Sequence, residues 1–277
     1  MPSFAAGDDP GPSFVDLVRR VYPQPDLGGM TGELDLPHGT TVLAVRYTDG
    51  VVIAGDRRAT SGNMISHRTI KKVFSSDRHS GVAIAGAAGP AVEMVRLYQL
   101  QLEHYEKVEG VELSLEGKAN QLSQMLRNNL PMAMQGMVVI PIFAGYDRRR
   151  GYGRLFQFDI TGGRYEEANY ATSGSGSIFA GTVLKLGFAE GLDRDRAIGL
   201  ALLALFEAAD DDSATGAPDL VRGIYPTIAT ITSGGFEWVD DTELASRFDT
   251  MAGQLNPATA APMITDGDTP ASGGATT

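Results

Sequence analysis

From residue 41 the chain reads as β-structure. Residues 41–47 and 51–54 are dense in β-branched and apolar side chains and flank Asp49-Gly50, a pair that favours a two-residue hairpin turn. Folding about that turn sets Asp56 opposite about Leu43, within ~10 Å of residue 40 at ~3.4 Å per residue. Further strands are predicted over 72–75 and 82–85. The period then changes. Residues 90–107 open on Pro90 and repeat Met94, Leu97, Tyr98, Leu102 and Tyr105 on one helical face. Residues 114–134 follow a capping Ser114, with Pro131 expected to kink the helix or end it early. Strands return at 137–146, 154–159 and 165–172, helices at 177–188 and 194–209, strands at 224–232 and 236–239, and a last helix near 241–254. Hairpin-linked strands separated by helix pairs predict two packed antiparallel sheets with helices outside, an α+β chain.

The two ends differ from this middle. Residues 1–39 are rich in Gly, Pro and Asp around one short amphipathic turn pair, Phe14, Leu17, Val18 and Val21 after Ser13. They read either as a disordered extension or as a propeptide. Residues 256–277 have no periodicity and are expected to be a disordered tail.

Composition narrows the function by exclusion. At 43% hydrophobic and 21% charged residues the chain is an ordinary globular sequence. A net charge of −11, with only Arg148-Arg149-Arg150 as a basic run, argues against nucleic acid as a partner. The absence of cysteine removes disulfides and thiol chemistry. The apolar run 137–144 is too short to span a membrane, and residues 1–39 lack the pattern of a secretion signal, so a cytoplasmic location is expected. His38, His67, His79 and His104 show no metal-ligand spacing, and neither a metal nor a cofactor is expected. Residues 210–216 fail the calcium-loop pattern at the fifth position and at the glycine, and 173–177 match no nucleotide loop or serine elbow.

One chemistry remains. Cleavage between Gly39 and Thr40 makes Thr40 an N-terminal residue, with a hydroxyl nucleophile and an α-amine on the same Cα. An α-amine has a reference pKa of ~7.7–8.0 and can act as the base for its own hydroxyl. Taken singly, Lys72 also reads as half of a solvated lysine pair, Asp56 as a hairpin end and Gly86 as room before a helix.

Taken together, Gly39-Thr40-Thr41, Gly55-Asp56-Arg57-Arg58, Lys71-Lys72-Val73, Ala85-Gly86, Gly174-Ser175-Gly176-Ser177 and the run Asp211-Asp212-Ser213-Ala214-Thr215-Gly216 form an ordered set. From Gly39 to Trp238 the chain resembles the β subunits of the proteasome core particle, most closely the actinobacterial type. The resemblance implies an N-terminal-nucleophile hydrolase, an αββα sandwich, with residues 1–39 as an autocatalytically removed propeptide and 40–255 as the catalytic domain. It makes Thr40 the nucleophile, Asp56 and Lys72 a buried pair beside it, and the Gly86 N–H the oxyanion donor. Ser175, Asp212 and Thr215 then hold the amine; the family often has Ser in place of Thr215.

The resemblance further implies a substrate strand pairing near Thr60 and Ala88, and an apolar pocket formed by Ala59, Ile70, Phe74, Ile84 and Ala88. Such a pocket predicts cleavage of unfolded proteins after hydrophobic residues, with broad specificity. The implied partners are proteasome α subunits, other β subunits in stacked rings, and an ATPase ring that delivers tagged proteins. Two alternatives stand beside this one: the α-free ATP-dependent peptidase of the same fold, and a non-catalytic structural β-type subunit.

Overall fold

The computed structural model describes residues 40–61 and 64–255. In chain order the strands β1 (Thr41–Tyr47), β2 (Gly50–Gly55), β3 (Ala59–Ser61), β4 (Met64–His67), β5 (Val73–Asp77) and β6 (Ser80–Gly86) lead into helices α1 (Ala88–Glu109) and α2 (Leu115–Ala133). Strands β7 (Val139–Asp147), β8 (Tyr152–Phe158), β9 (Arg164–Glu167) and β10 (Tyr170–Gly174) precede helices α3 (Ser177–Gly187) and α4 (Arg194–Asp211). Strands β11 (Thr227–Thr232) and β12 (Gly235–Trp238) and helix α5 (Asp241–Leu255) close the described chain. The proposed propeptide and its amphipathic turn, and the tail from residue 256, lie outside the described residues.

Two five-stranded antiparallel sheets form, β10-β1-β2-β11-β12 and β5-β6-β7-β8-β9. Alternation along each strand explains why they stack. In β1, Leu43, Val45 and Tyr47 pack with α4 residues such as Ile198 and Leu205, whereas Val42 and Ala44 meet Ala83, Ile142 and Leu155 of the other sheet. In β6, Val82 and Ile84 face Tyr98 and Leu122 of α1 and α2, and Ala83 and Ala85 face inward. Period-2 alternation with both faces apolar needs a cover on each side. Three buried clusters therefore separate four layers, helices–sheet–sheet–helices, the αββα architecture expected from the order of elements.

The hairpin register differs from the expectation. Tyr47 pairs with Gly50, so Thr48 and Asp49 form the turn and Gly50 opens β2. Gly50 is needed inside the sheet, because a Cβ there would lie 2.0 Å from the Ile231 carbonyl oxygen. Moving the turn back one residue shifts the pairing by two. Val42 faces Gly55, and the Asp56 amide donates to the Thr41 carbonyl at 3.1 Å, so Asp56 stands opposite Thr41 rather than Leu43.

Three further differences have local causes. Residues 165–172 are not one strand: β9 pairs with β8 in one sheet and β10 with β1 in the other. Helix α1 begins before Pro90, which falls in the first turn where its missing N–H costs nothing. Helix α2 is capped by Ser114 Oγ accepting from the Gly117 amide and runs two residues past Pro131. The hairpin β3–β4 has no counterpart in the predicted strands, since all four residues of β4 are exposed and carry no buried face to read.

Candidate active site

Elements of both sheets end at one edge of the sandwich. Thr40 precedes β1, Asp56 follows β2, Ser175 follows β10, Lys72 precedes β5, Gly86 ends β6, and Asp212 caps α4. The residues singled out in the sequence thus come together although 172 positions of numbering separate Thr40 from Asp212 (212 − 40).

Asp56 is the hub. Its side chain is fully buried and Lys72 is 6% exposed. Lys72 Nζ donates to Asp56 Oδ1 at 2.6 Å, and the Thr41 amide donates to the same oxygen at 2.9 Å. The other oxygen accepts the amides of Arg58 at 2.8 Å and Gly216 at 2.9 Å. The buried carboxylate thus has four hydrogen-bond donors and is not left unsatisfied in a dry site. Lys71, next in chain, is exposed, so the two lysines are a split pair and not a solvated one. Burial pushes the Lys72 ammonium below the ordinary lysine range; Asp56 pulls against that shift and the nearby Arg58 charge adds to it.

The threonine nitrogen has its own chain of oxygens. The Thr40 N–H donates to Ser175 Oγ at 3.2 Å, and Ser175 Oγ donates to Asp212 Oδ2. Thr215 Oγ1 donates to Asp212 Oδ2 at 2.6 Å. Because that proton is engaged, the 2.6 Å contact between the Thr41 and Thr215 hydroxyls has Thr41 as donor. Thr215 therefore acts on Thr41 and Asp212, one step away from the Thr40 nitrogen. Arg58 Nη1 donates to the Ser213 carbonyl at 2.9 Å and ties this loop to the segment after β2.

Two glycines let the backbones close. Gly174 has φ +102, and a Cβ on it would lie 1.9 Å from the Thr40 carbonyl oxygen. Gly86 has φ +115, with the Val138 carbonyl oxygen 2.1 Å from where its Cβ would be. Side chains are excluded at both positions on conformation and on space.

A cavity of about 40 Å³ opens beside Thr40, lined by Ala59, Ile70, Phe74, Ile84 and Ala88 together with Lys71, Lys72, Gly86, Ala91 and Val92. Thr60 does not line it; it lies on β3 opposite Ile65. Strand β3 pairs only with β4 among the described strands.

Sequence reasoning assigned no role to Thr41, Arg58 or Gly216, which supply the remaining contacts to Asp56 and Thr215. All three lie inside the quoted motifs, but each holds Asp56 through its backbone N–H, which carries no residue signature. Among the described residues no group of three acidic or histidine side chains is placed to hold a metal ion, and no helix is long and apolar enough to cross a membrane.

Comparison with known proteins agrees with this layout. The family model for the proteasome subunit matches residues 36–220. A proteasome subunit beta of Acidimicrobium ferrooxidans is 58% identical over 246 residues, 88% of this chain and 90% of its own. Those of Jonesia denitrificans and Acidothermus cellulolyticus are 53% and 52% identical, over 88% and 92% of this chain and 83% and 89% of their own. On the family match over most of the chain and on identities this high, the chain belongs to the proteasome β-subunit family.

Proposed function

We propose that this chain is a threonine endopeptidase subunit, with Thr40 as nucleophile after removal of residues 1–39. The family supports the peptidase class and assembly with other proteasome subunits. The observation that carries the finer reading is the Asp56–Lys72 pair at 2.6 Å, held one residue from Thr40 by the Thr41 amide.

The chemistry needs four parts. Release of Thr40 converts its amide nitrogen into an α-amine, which accepts the hydroxyl proton as Oγ1 attacks the substrate carbonyl carbon. Lys72, as an ammonium, favours the neutral amine and orients the hydroxyl. The Gly86 N–H receives the oxyanion, a contact of a kind worth about 2.7–4 kcal/mol in the barrier. Collapse breaks the peptide bond, and the leaving amine takes the proton from the α-amine. Water then attacks the threonyl ester by the same route, releasing the acid and restoring Thr40.

Ser175, Asp212 and Thr215 fix the nitrogen and the neighbouring Thr41. The apolar residues Ala59, Ile70, Phe74, Ile84 and Ala88 receive the side chain before the scissile bond, favouring hydrophobic residues with broad tolerance. The open edge of β3 at Thr60 is suited to pairing with an extended substrate. In this reading the chain works in the cytoplasm within stacked β rings flanked by α subunits, fed with unfolded, tagged proteins by an ATPase ring.

The test is hydrolysis of a short peptide with a reporter after a hydrophobic residue, by the chain assembled with an α-type partner. Wild type should turn over, and Thr40→Ala in an intact particle should not. Equal hydrolysis by both would remove Thr40 from the mechanism.

A further inference from the structure

Behind the Asp56 shell lies a second, smaller cavity of about 30 Å³, bounded by Arg57, Arg58, Arg68, Gly216, Asp219 and Tyr225 among others. Three arginines line it, Arg58 with its Nη1 turned to the Ser213 carbonyl. None forms an ion pair with any described residue, and Arg57 Nε is buried without a hydrogen-bond partner. Asp219 is the only acid in the wall, and it is already held by Arg222, whose Nη1 lies 2.7 Å from Oδ2 and whose amide lies 3.1 Å from Oδ1.

A much larger groove of about 680 Å³ elsewhere behaves differently. It also carries arginines, but its charges answer one another: Arg154 meets Asp147 at 2.9 Å and Glu116 at 3.6 Å. In the small cavity the one acid, Asp219, feels the Arg68 charge but is already paired with Arg222. The buried Arg57 Nε is left without a partner, which is costly, and an anion in the cavity would supply one.

Size limits which anion. A space of about 30 Å³ accommodates roughly two water-sized groups, which admits a halide or the head of a carboxylate and excludes a nucleotide or sugar phosphate. We propose that the cavity walled by Arg57, Arg58, Arg68 and Gly216 is a site for one small anion, a halide or a carboxylate head, adjoining the candidate active site. Gly216 is the shared wall. Its amide holds Asp56 Oδ2, and a Cβ on it would lie 2.8 Å from Arg58 Cβ and 3.3 Å from that same oxygen. An anion seated here neutralises guanidinium charge behind Asp56 without touching Thr40.

The carboxylate could come from solution or from a neighbouring subunit, and one experiment separates the two. Thermal unfolding is followed in sodium chloride, sodium formate and the sodium salt of a bulky morpholine sulfonate at equal ionic strength, for the full chain alone and for the assembled particle. A saturable rise of roughly 2–4 °C in chloride and formate over the sulfonate, in both forms, assigns a free ion. The same rise in the separate chain only assigns a neighbour's carboxylate in the particle. Arg68→Gln, at an exposed position where folding is not at stake, should erase the rise, and Arg68→Lys should restore part of it. No difference among the three salts in either form, or a rise that survives Arg68→Gln unchanged, overturns the proposal.

Discussion

Lys72 Nζ and the Thr41 amide converge on one oxygen of Asp56, at 2.6 and 2.9 Å. The register of the first hairpin creates this relationship. Because Gly50 enters β2 against the Ile231 carbonyl, the pairing shifts by two residues and Asp56 lands opposite Thr41. Lys72 is thereby fixed beside Thr41, the first residue of β1.

Lys72→Met should abolish turnover and leave the fold. Asp56 keeps three backbone donors in the variant, from Thr41, Arg58 and Gly216, so its carboxylate is not stranded. Peptide hydrolysis should fall by about 10²- to 10³-fold, the range for loss of one preorganised electrostatic group. Turnover near wild type, with normal thermal unfolding, would reduce Lys72 to a structural ion pair.

The pH dependence follows from the direction of the Lys72 shift. Burial lowers its folded pKa below the ordinary 10.5, so between the two values the unfolded chain binds more protons. Stability from this group therefore rises with pH across that window, and below it the folded protein carries the cost of a buried ammonium. In the proposed mechanism activity runs the other way, because Lys72 is assigned to work as the ammonium. The alkaline limb of the pH–rate profile should lie below 10.5, and Arg58→Gln, which removes a like charge, should move it upward. A limb that stays fixed in Arg58→Gln would contradict the assignment to Lys72.

Gly174→Ala should block maturation. Its φ of +102 is a strained one for alanine, and the added Cβ would meet the Thr40 carbonyl at 1.9 Å. Strain of about 1–3 kcal/mol is expected, lowering the melting temperature by roughly 2–4 °C for each kcal/mol. Mass spectrometry should find the chain uncut at residue 39; normal processing would show that the close approach is dispensable.

Thr215 offers a graded test. Thr215→Ser keeps the hydroxyl that joins Asp212 to Thr41 and should hydrolyse peptide at close to the wild-type rate. Thr215→Val leaves both partners short of a bond, a loss of about 1–3 kcal/mol, and should slow turnover roughly tenfold to a hundredfold. Equal rates for Ser and Val would remove the hydroxyl from the site's function.

What the sequence made legible was whatever alternation and side-chain type record. Hairpin-linked strands separated by helix pairs announced two packed sheets, and Val42, Ala44, Leu43 and Val45 do divide between the two sides. The motif residues Thr40, Asp56, Lys72, Ser175 and Asp212 stood out only as an ordered set, through the family resemblance; taken singly, Lys72 and Asp56 read as ordinary surface and turn residues. Sheet membership was not legible: 165–172 reads as one strand, yet the chain changes sheets between Glu167 and Tyr170. Register was not either, since the close approach at Gly50 comes from β11, far along the chain. The amides of Arg58 and Gly216 escaped because every residue but proline carries one.

The most direct measurement is the intact mass and N-terminal sequence of the chain isolated from particles assembled with an α-type partner. A mature chain beginning at Thr40, from wild type but not from Thr40→Ala, is the predicted result. A wild-type chain that still carries residues before Thr40 in an active particle would contradict the account, because the nitrogen that Ser175 holds would then be an amide and no base.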